Sequence, residues 1–513
     1  MDKCNLLDCT LRDGGYYTNW DFEDDIVKKY IEITNILPIN YIELGYRSKP
    51  QTNYLGKFGY SPSFELQQIR EQSCKKIAIM LNEKDTNAND IKELLSPVIG
   101  LIDMVRIAVA PENLDKSILL AESIKQLGFE VGFNVMYMSK WMANDAFFSK
   151  LYKINKIADI FNMVDSYGSI FPKQIIEILQ IVKKEVTCSI GFHGHNNLEM
   201  ALINTLTAMD NGANSIDATI SGMGRGAGNL KTELLLTCLN KHYDLEVDFN
   251  ALGEIVSTFT ELHKQYKWGT NLPYMISGAN SMPQKDIMDM ANNRLFSFNN
   301  IVRAVSNKKE KLADNDKFSI FDFPPCENVL IIGGGHSAVA HIKGVKAFIQ
   351  KNKPFAIVFA TTRYFNFYRP LDDRQYVCLT GTEEKRLMKQ LNDDTFEEIA
   401  ILPPYPRKMG TDVPKKLHNN TFELNSIDFT DKRYFDSCTA IALQIARQAQ
   451  AKNIYLIGYD GYVGSVLSEK EHDLTVENQT LFNDFQNYYN TTLTSLTPTL
   501  YGGLEIKSLY QNL

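Results

Sequence analysis

The 513-residue chain holds eight cysteines (Cys4, Cys9, Cys74, Cys188, Cys238, Cys326, Cys378 and Cys438) and no C-x-x-C pair. That scatter argues against a disulfide framework and a thiolate zinc site, and it reads as the reduced thiols of a cytoplasmic protein. No run of about 18 apolar residues occurs, so no transmembrane helix is expected. The first residues, "MDKCNLLDCTLRDGG", lack the apolar segment of a secretory signal. Dense basic runs are also missing and the net charge is −7, which speaks against a nucleic-acid surface. What remains is an ordinary globular composition, 44% hydrophobic and 22% charged, on a length that suggests two to four domains.

Short apolar runs alternate with amphipathic stretches through the first half. The expected strands are "NLLDCTL" (5–11), "YIELGY" (41–46), "KIAIML" (76–81), "MVRIAV" (104–109), "VGFNVMY" (131–137), "IFNMVD" (160–165), "CSIGFHG" (188–194) and "SIDATI" (215–220). Each is nearly continuous in apolar residues, as a strand covered on both faces should be. Segments such as "FEDDIVKKYIEITNIL" and "FPKQIIEILQIVKKE" between them carry helical periodicity. Eight β/α units over residues 1–250 predict a (β/α)8 TIM barrel. An open doubly wound sheet is the alternative, but even spacing favours closure. Residues 251–306 read as a helical extension, and "NKKEKLADNDK" (307–317) as a linker without apolar pattern.

In such barrels the chemistry lies at the carboxyl ends of the strands. The first strand leads into "LRDGG" with Arg12 and Asp13, and the second into "IELGYR" with Glu43 and Arg47. The sixth reaches Asp165 and Ser166, the seventh ends in "GFHGHNN", and the eighth runs into "SGMGRGAGN", ending at Asn229. Strand interiors are expected to stay apolar. His193 and His195 are two apart, so they share one face of a strand. Two imidazoles with Asp13 as a third ligand suit a divalent metal with open positions: Mn²⁺ or Mg²⁺ first, Co²⁺ or Zn²⁺ as alternatives. The competing explanations are polar residues at a strand end, a turn aspartate before Gly14 and Gly15, and an Arg12–Glu43 pair.

"DCTLRDGGYYTNWDF", "GFHGHNNLEMALIN" and "DATISGMGRGAGN" together resemble the metal-dependent aldolase/lyase superfamily that includes hydroxymethylglutaryl-CoA lyase. "GFHGHNN" and "GMGRGAGN" look most like its 4-hydroxy-2-oxovalerate aldolase branch. The likeness covers roughly residues 3–300 and implies an enzyme forming or cleaving a carbon–carbon bond through a pyruvate-type enolate, with an aldehyde as the other partner. It implies Asp13, His193 and His195 as metal ligands and Arg12 beside the developing enolate oxygen. Ser166 would seat the substrate carboxylate, and Asn229 would lie near the metal. Where the branch has a histidine base three residues after the aspartate, this chain has Tyr16. The base is therefore open among Tyr16, Tyr17, Glu43 and a metal-bound water. Arg47 is an added cation that could bind an acidic or phosphorylated aldehyde, or pair with Glu43 or Asp13. A homo-oligomer is the expected assembly. Weighed against this reading are an acyl-CoA Claisen synthase and a non-catalytic barrel scaffold.

Residues 318–513 read as a second, Rossmann-like α/β domain. "ENVLIIGGGHSAVAHIKG" places Gly333, Gly335 and Ala338 in a G-x-G-x-x-A turn between strand and helix, a pattern that lets backbone amides approach phosphate. The second strand ends in Thr361, Thr362 and Arg363 without the acidic residue a ribose would need, so NAD is not the first choice. Together with "LIGYDGY", the turn faintly resembles sialyltransferase-type domains. That likeness would put Gly333, Gly335, Ser337 and Asp460 around a nucleotide or sugar nucleotide and suggests surface-glycan precursor metabolism. Tight strand–helix packing is the alternative for the glycines.

Overall fold

The computed structural model describes residues 4–52, 54–292, 298–311, 317–391, 396–407, 413–462, 469–511 and 513. The chain divides into two compact units, Met1–Asp289 and Met290–Leu513. No helix among the described residues is long and apolar enough to cross a membrane.

The first unit is a closed parallel barrel in sequential order. Its strands are β1 (Asn5–Asp8), β2 (Tyr41–Tyr46), β3 (Lys76–Asn82), β4 (Met104–Val109), β5 (Glu130–Val135), β6 (Ile160–Asp165), β7 (Ser189–Gly194) and β8 (Ser215–Ala218). Closure runs through β1 and β8, with Leu7 opposite Asp217. Alternate residues point inward. Leu7, Cys9, Tyr41, Ala78, Met104 and Ile160 form one apolar layer. Along the same inward rows follow Glu43, Arg106, Asn134, Asn162, His193 and Asp217, all buried. The interior is therefore apolar below and polar above, unlike the uniformly apolar strands expected from sequence.

The first predicted strand is also shorter than expected. It ends at Asp8, and "TLRDGGYYT" is a helix, α1 (Thr10–Thr18). Asp8 closes β1 by accepting from Thr10 N–H (3.0 Å), Tyr30 OH (2.7 Å) and Thr232 Oγ1 (2.6 Å). The two glycines that suggested a turn are needed for packing. A β-carbon on Gly15 would lie 2.1 Å from the Trp20 ring, and one on Gly14 would lie 2.6 Å from Met223 Sδ. Arg12 and Asp13 thus sit on a helix crossing the barrel mouth.

Helices Phe249–Tyr266, Leu272–Ala279, Gln284–Asn292 and Phe298–Glu310 occupy the expected extension. The boundary between units falls inside it, after Asp289. The last of these helices runs on through 307–310, where a linker was expected. Residues 312–316 of that predicted linker lie outside the described residues.

The second unit is an eight-stranded parallel sheet: β9 (Asn328–Ile332), β10 (Phe355–Phe359), β11 (Arg374–Cys378), β12 (Ile399–Leu402), β13 (Thr421–Glu423), β14 (Asn453–Ile457), β15 (Leu493–Ser495) and β16 (Glu505–Ile506). Its order, 13-12-11-10-9-14-15-16, reverses between β9 and β14. Val329, Ile331, Ala356 and Val358 enter one core, while Leu330, Ile332, Ile357 and Phe359 enter another. Both faces are covered, which explains the continuous apolar runs.

Candidate active site

Six buried side chains close a ring of ion pairs and imidazole contacts across the barrel mouth. Arg12 Nη1 meets Asp13 Oδ1, and Arg12 Nε donates to Glu43 Oε2 at 2.8 Å. Glu43 Oε2 lies 3.3 Å from Arg106 Nη1, and Arg106 Nη2 reaches Asp217 Oδ2. Asp217 Oδ2 is 2.9 Å from His193 Nδ1, and His193 Nε2 returns to Asp13 Oδ2 at 3.5 Å. Burial alone would raise the Asp217 carboxyl, but Arg106 and His193 outweigh it and hold it at about 2. Burial would likewise raise Asp13, and the Arg12 guanidinium beside it, with the Asn229 amide, keeps it below its ordinary range.

The ring contains three carboxylates and two guanidiniums, plus an imidazole that must be neutral to ligate a metal. It therefore carries one uncompensated negative charge in a buried setting, which a cation would offset. The donor set agrees. His193 Nδ1 is held by Asp217, and His195 Nδ1 lies 2.9 Å from the Asp165 carbonyl, so each imidazole keeps Nε2 for a ligand. Burial, then His193, pushes His195 down to about 3, leaving it neutral. Asn229 Nδ2 donates to Asp13 Oδ2 at 2.7 Å, while its own buried Oδ1 has no partner among the described residues. Cys9 also lies within the cluster of Asp13 and His193. Its thiol is fully buried, points 3.5 Å from the Ala218 carbonyl, and is pushed well up by burial and by Asp13. A thiol so held stays protonated and is a poor ligand. Asp13, His193 and His195 instead line one cavity of about 140 Å³ and fit a divalent ion.

Arg12, Tyr16 and Ser166 line that cavity too. Tyr16 OH lies 3.2 Å from Tyr46 OH, and the Arg225 guanidinium sits 4.3 Å from the centre of the Tyr16 ring. Ser166 Oγ accepts from Tyr137 N–H at 2.8 Å, which leaves its own proton free to donate. The other base candidates are placed elsewhere. Glu43 is fully buried between Arg12 and Arg106 and does not reach the cavity, so it is an ion-pair partner. Tyr17 OH donates to the Gly226 carbonyl at 3.4 Å, and burial pushes its phenol up. Arg47 pairs with neither Glu43 nor Asp13. It donates to the carbonyls of Leu94, Tyr60 (3.3 Å) and Ser61 (2.8 Å) and lies outside the cavity lining, where it staples loops. The sequence reading passed over Arg106, Asp217 and Arg225. A lone charge inside "MVRIAV" or "SIDATI" was the available signal for the first two.

In the second unit, Gly333, Gly335 and Asp460 line a cavity of about 770 Å³ at the carboxyl ends of β9, β10, β11 and β14. Ser337 joins Asp460, and three backbone donors of the turn are engaged within the protein. Gly333 N–H donates to the Ile457 carbonyl (2.8 Å), Gly335 N–H to the Gly458 carbonyl (2.7 Å) and Ser337 N–H to Asp460 Oδ2 (2.9 Å). Ser337 Oγ donates to the same carboxylate. A β-carbon on Gly333 would lie 2.5 Å from the Gly458 carbonyl oxygen, and one on Gly335 2.7 Å from Asp460 Cγ. The glycines sit in close packing, and the Asp460 carboxylate takes the Ser337 donors while itself facing the cavity.

A closed parallel barrel with a carboxylate, two imidazoles and a guanidinium converging at its mouth defines a class: metal-dependent aldolases and lyases. The HMGL-like family matches residues 104–259. The 4-hydroxy-2-oxovalerate aldolase of Geobacillus thermodenitrificans is 32% identical over 246 residues, 46% of this chain and 69% of the relative. Its counterpart from Bacillus cereus is 29% identical over 261 residues, 49% and 74% of the two chains. The crystal structure of the N-terminal domain of a candidate aldolase from Bacteroides vulgatus is 60% identical, with a TM-score of 0.56, covering 58% of this chain and 99% of that one. The chain belongs to the HMGL-like TIM-barrel aldolase superfamily. None of these relatives bears on the sialyltransferase-type likeness or on a glycan role.

Proposed function

We propose that the barrel makes or breaks a carbon–carbon bond beside the carbonyl of a 2-oxo acid, with pyruvate as enolate donor or product and an aldehyde as partner. The observation that carries this reading is the joint placement of Asp13, His193, His195 and Arg12 on one small cavity. The name of the relatives, 4-hydroxy-2-oxovalerate aldolase, fits the same chemistry. Asp13, His193 and His195 would hold a divalent ion, Mn²⁺ or Mg²⁺ by their oxygen and nitrogen donors, which supplies Lewis acidity to the carbonyl and carboxylate of the 2-oxo acid.

The chain's own groups do the rest. Arg12 spends Nε on Glu43 and Nη1 on Asp13, which fixes its plane and leaves Nη2 for an oxygen that gains charge in the transition state. Ser166 offers its hydroxyl proton to the donor carboxylate. Tyr16, with Tyr46 behind it at 3.2 Å, forms a phenol pair that relays the proton between substrate and solvent. The walls from Met80, Ala108 and Met136 exclude bulk water. The test is product formation from pyruvate and an aldehyde by the metal-loaded chain, followed by mass spectrometry. Formation of a 4-hydroxy-2-oxo acid that is lost in His193→Ala supports the reading. Turnover that survives His193→Ala and His195→Ala overturns it.

A further inference from the structure

We infer that Arg225 receives an anionic group of the acceptor, so that the second substrate is a carboxylated or phosphorylated aldehyde rather than a neutral one. This rests on the aldolase reading of the same cavity. The other cations and carboxylates of the buried ring are paired: Arg12 with Asp13 and Glu43, Arg106 with Glu43 and Asp217. Arg225 lines the cavity, and no carboxylate, carbonyl or hydroxyl among the described residues takes its N–H groups. Among the described residues its guanidinium packs on the Tyr16 ring, 4.3 Å away, and feels Asp13 only as a more distant charge. A guanidinium stacked on an aromatic face keeps its in-plane donors for another partner, and those donors match a carboxylate or phosphate.

The loop that carries Arg225 is built to hold it. The Gly226 carbonyl accepts from Gly269 N–H at 3.0 Å, Ala227 N–H donates to Gln284 Oε1 at 3.0 Å, and Gly228 N–H to the Arg225 carbonyl at 3.2 Å. Gly226 has φ +63°, and a β-carbon there would lie 2.1 Å from Gln284 Oε1. Lys285 adds a second cation at the exposed rim, also without an ion-pair partner among the described residues. Charge balance points the same way. The ring's single negative charge is overcompensated by a divalent ion, and the carboxylate of the donor then cancels only that excess. Arg225 remains, and a second anion neutralises it. The donor carboxylate itself has Arg12 and Ser166 on the cavity wall.

The experiment uses the full-length, metal-loaded chain with pyruvate and acceptors of similar size: succinic semialdehyde, glyceraldehyde 3-phosphate, glyceraldehyde and butanal. The native enzyme should prefer the anionic acceptors in kcat/KM. Arg225→Ala should lower kcat/KM for them by about 10- to 100-fold, the loss expected for a hydrogen bond to a charged group, and collapse the preference. Arg225→Lys should restore part of it. Calorimetric binding of 4-hydroxybutyrate, an unreactive analogue of succinic semialdehyde, should weaken by a similar factor in Arg225→Ala. A native enzyme that exchanges pyruvate protons but treats charged and neutral acceptors alike contradicts the inference and leaves the aldolase reading standing. So does an Arg225→Ala variant that loses both acceptor types equally, or one whose defect is confined to the KM for pyruvate, which would assign Arg225 to the donor. A native enzyme with no pyruvate exchange overturns the aldolase reading instead.

Discussion

Replacing Asp217 by Asn probes the ring of ion pairs at its most coupled point. The carboxylate is 2% exposed and serves both Arg106 and His193. An amide has nearly the same shape but no charge, so the change isolates electrostatics from packing. Arg106 would keep Glu43 at 3.3 Å and Asn134 Oδ1 at 2.9 Å. Removing one partner of a buried pair costs about 3–5 kcal/mol, and these two surviving contacts put the expected loss near the lower end, about 3 kcal/mol. His193 would keep a neutral amide oxygen as acceptor but lose the negative charge behind its Nδ1–H, which should weaken metal affinity by about 10-fold. All three tryptophans, Trp20, Trp141 and Trp268, lie in the first unit, so fluorescence during urea unfolding of metal-free protein reports on the barrel alone. Chelator competition with Mn²⁺ reports affinity. The pH dependence follows from the sign of the shift. The folded carboxyl is depressed from 3.8 to about 2, so its stabilisation is complete above about pH 4 and disappears as pH falls towards 2. That lost stabilisation is about 2 kcal/mol, and it should be missing from the acid unfolding of Asp217→Asn. An Asn variant with unchanged urea midpoint and metal affinity within twofold of native would refute the coupling.

Further expectations concern single positions. Arg12→Lys should lower kcat by about 10²–10³ and also lower the unfolding midpoint, because a point charge cannot serve Glu43, Asp13 and substrate in one plane; near-native kcat would remove Arg12 from the chemistry. Arg47→Ala should cost about 1–3 kcal/mol in thermal or urea unfolding through three orphaned carbonyls and leave the acceptor KM unchanged, whereas a raised KM would return Arg47 to substrate binding. Asp165 is pushed up to about 6 by burial, so its contribution favours folding at low pH and fades as pH rises from about 4 through 6; native-state stability measured across that range should show the decline, and a flat profile would contradict it. Gly335→Ala should destabilise the second unit by about 1–3 kcal/mol through a clash with Asp460, read by calorimetry, while a neutral outcome would reopen the turn as a ligand cradle.

Periodicity located all eight barrel strands because strands buried on both faces announce themselves as apolar runs. It misjudged the first strand's end, since "RDGG" satisfies turn chemistry locally, and only the approach of Trp20 and Met223 explains why glycine is needed inside a helix. Asp13, His193 and His195 were legible as a set because i and i+2 on one strand share a face and the barrel brings Asp13 to them. Arg106 and Asp217 each stand out only as a lone charge in an apolar strand, and because their partners are on other strands the local sequence does not show the pairing. Arg47 shows the converse: a charged residue next to a strand end drew attention, yet its partners are backbone carbonyls on loops that sequence does not place. The Gly333–Ser337 turn has the spacing of a phosphate loop, but Asp460, more than a hundred residues later and after a different strand, takes the Ser337 donors, which local sequence does not show.

The central claim is tested most directly by incubating the Mn²⁺-loaded full-length chain with pyruvate in deuterium oxide and following the methyl signal by proton NMR. Metal- and enzyme-dependent loss of that signal, absent in His193→Ala and His195→Ala and slowed by about 10²–10³ in Arg12→Lys, is the predicted result. A methyl signal that persists unchanged in the presence of correctly folded, metal-loaded enzyme would contradict it.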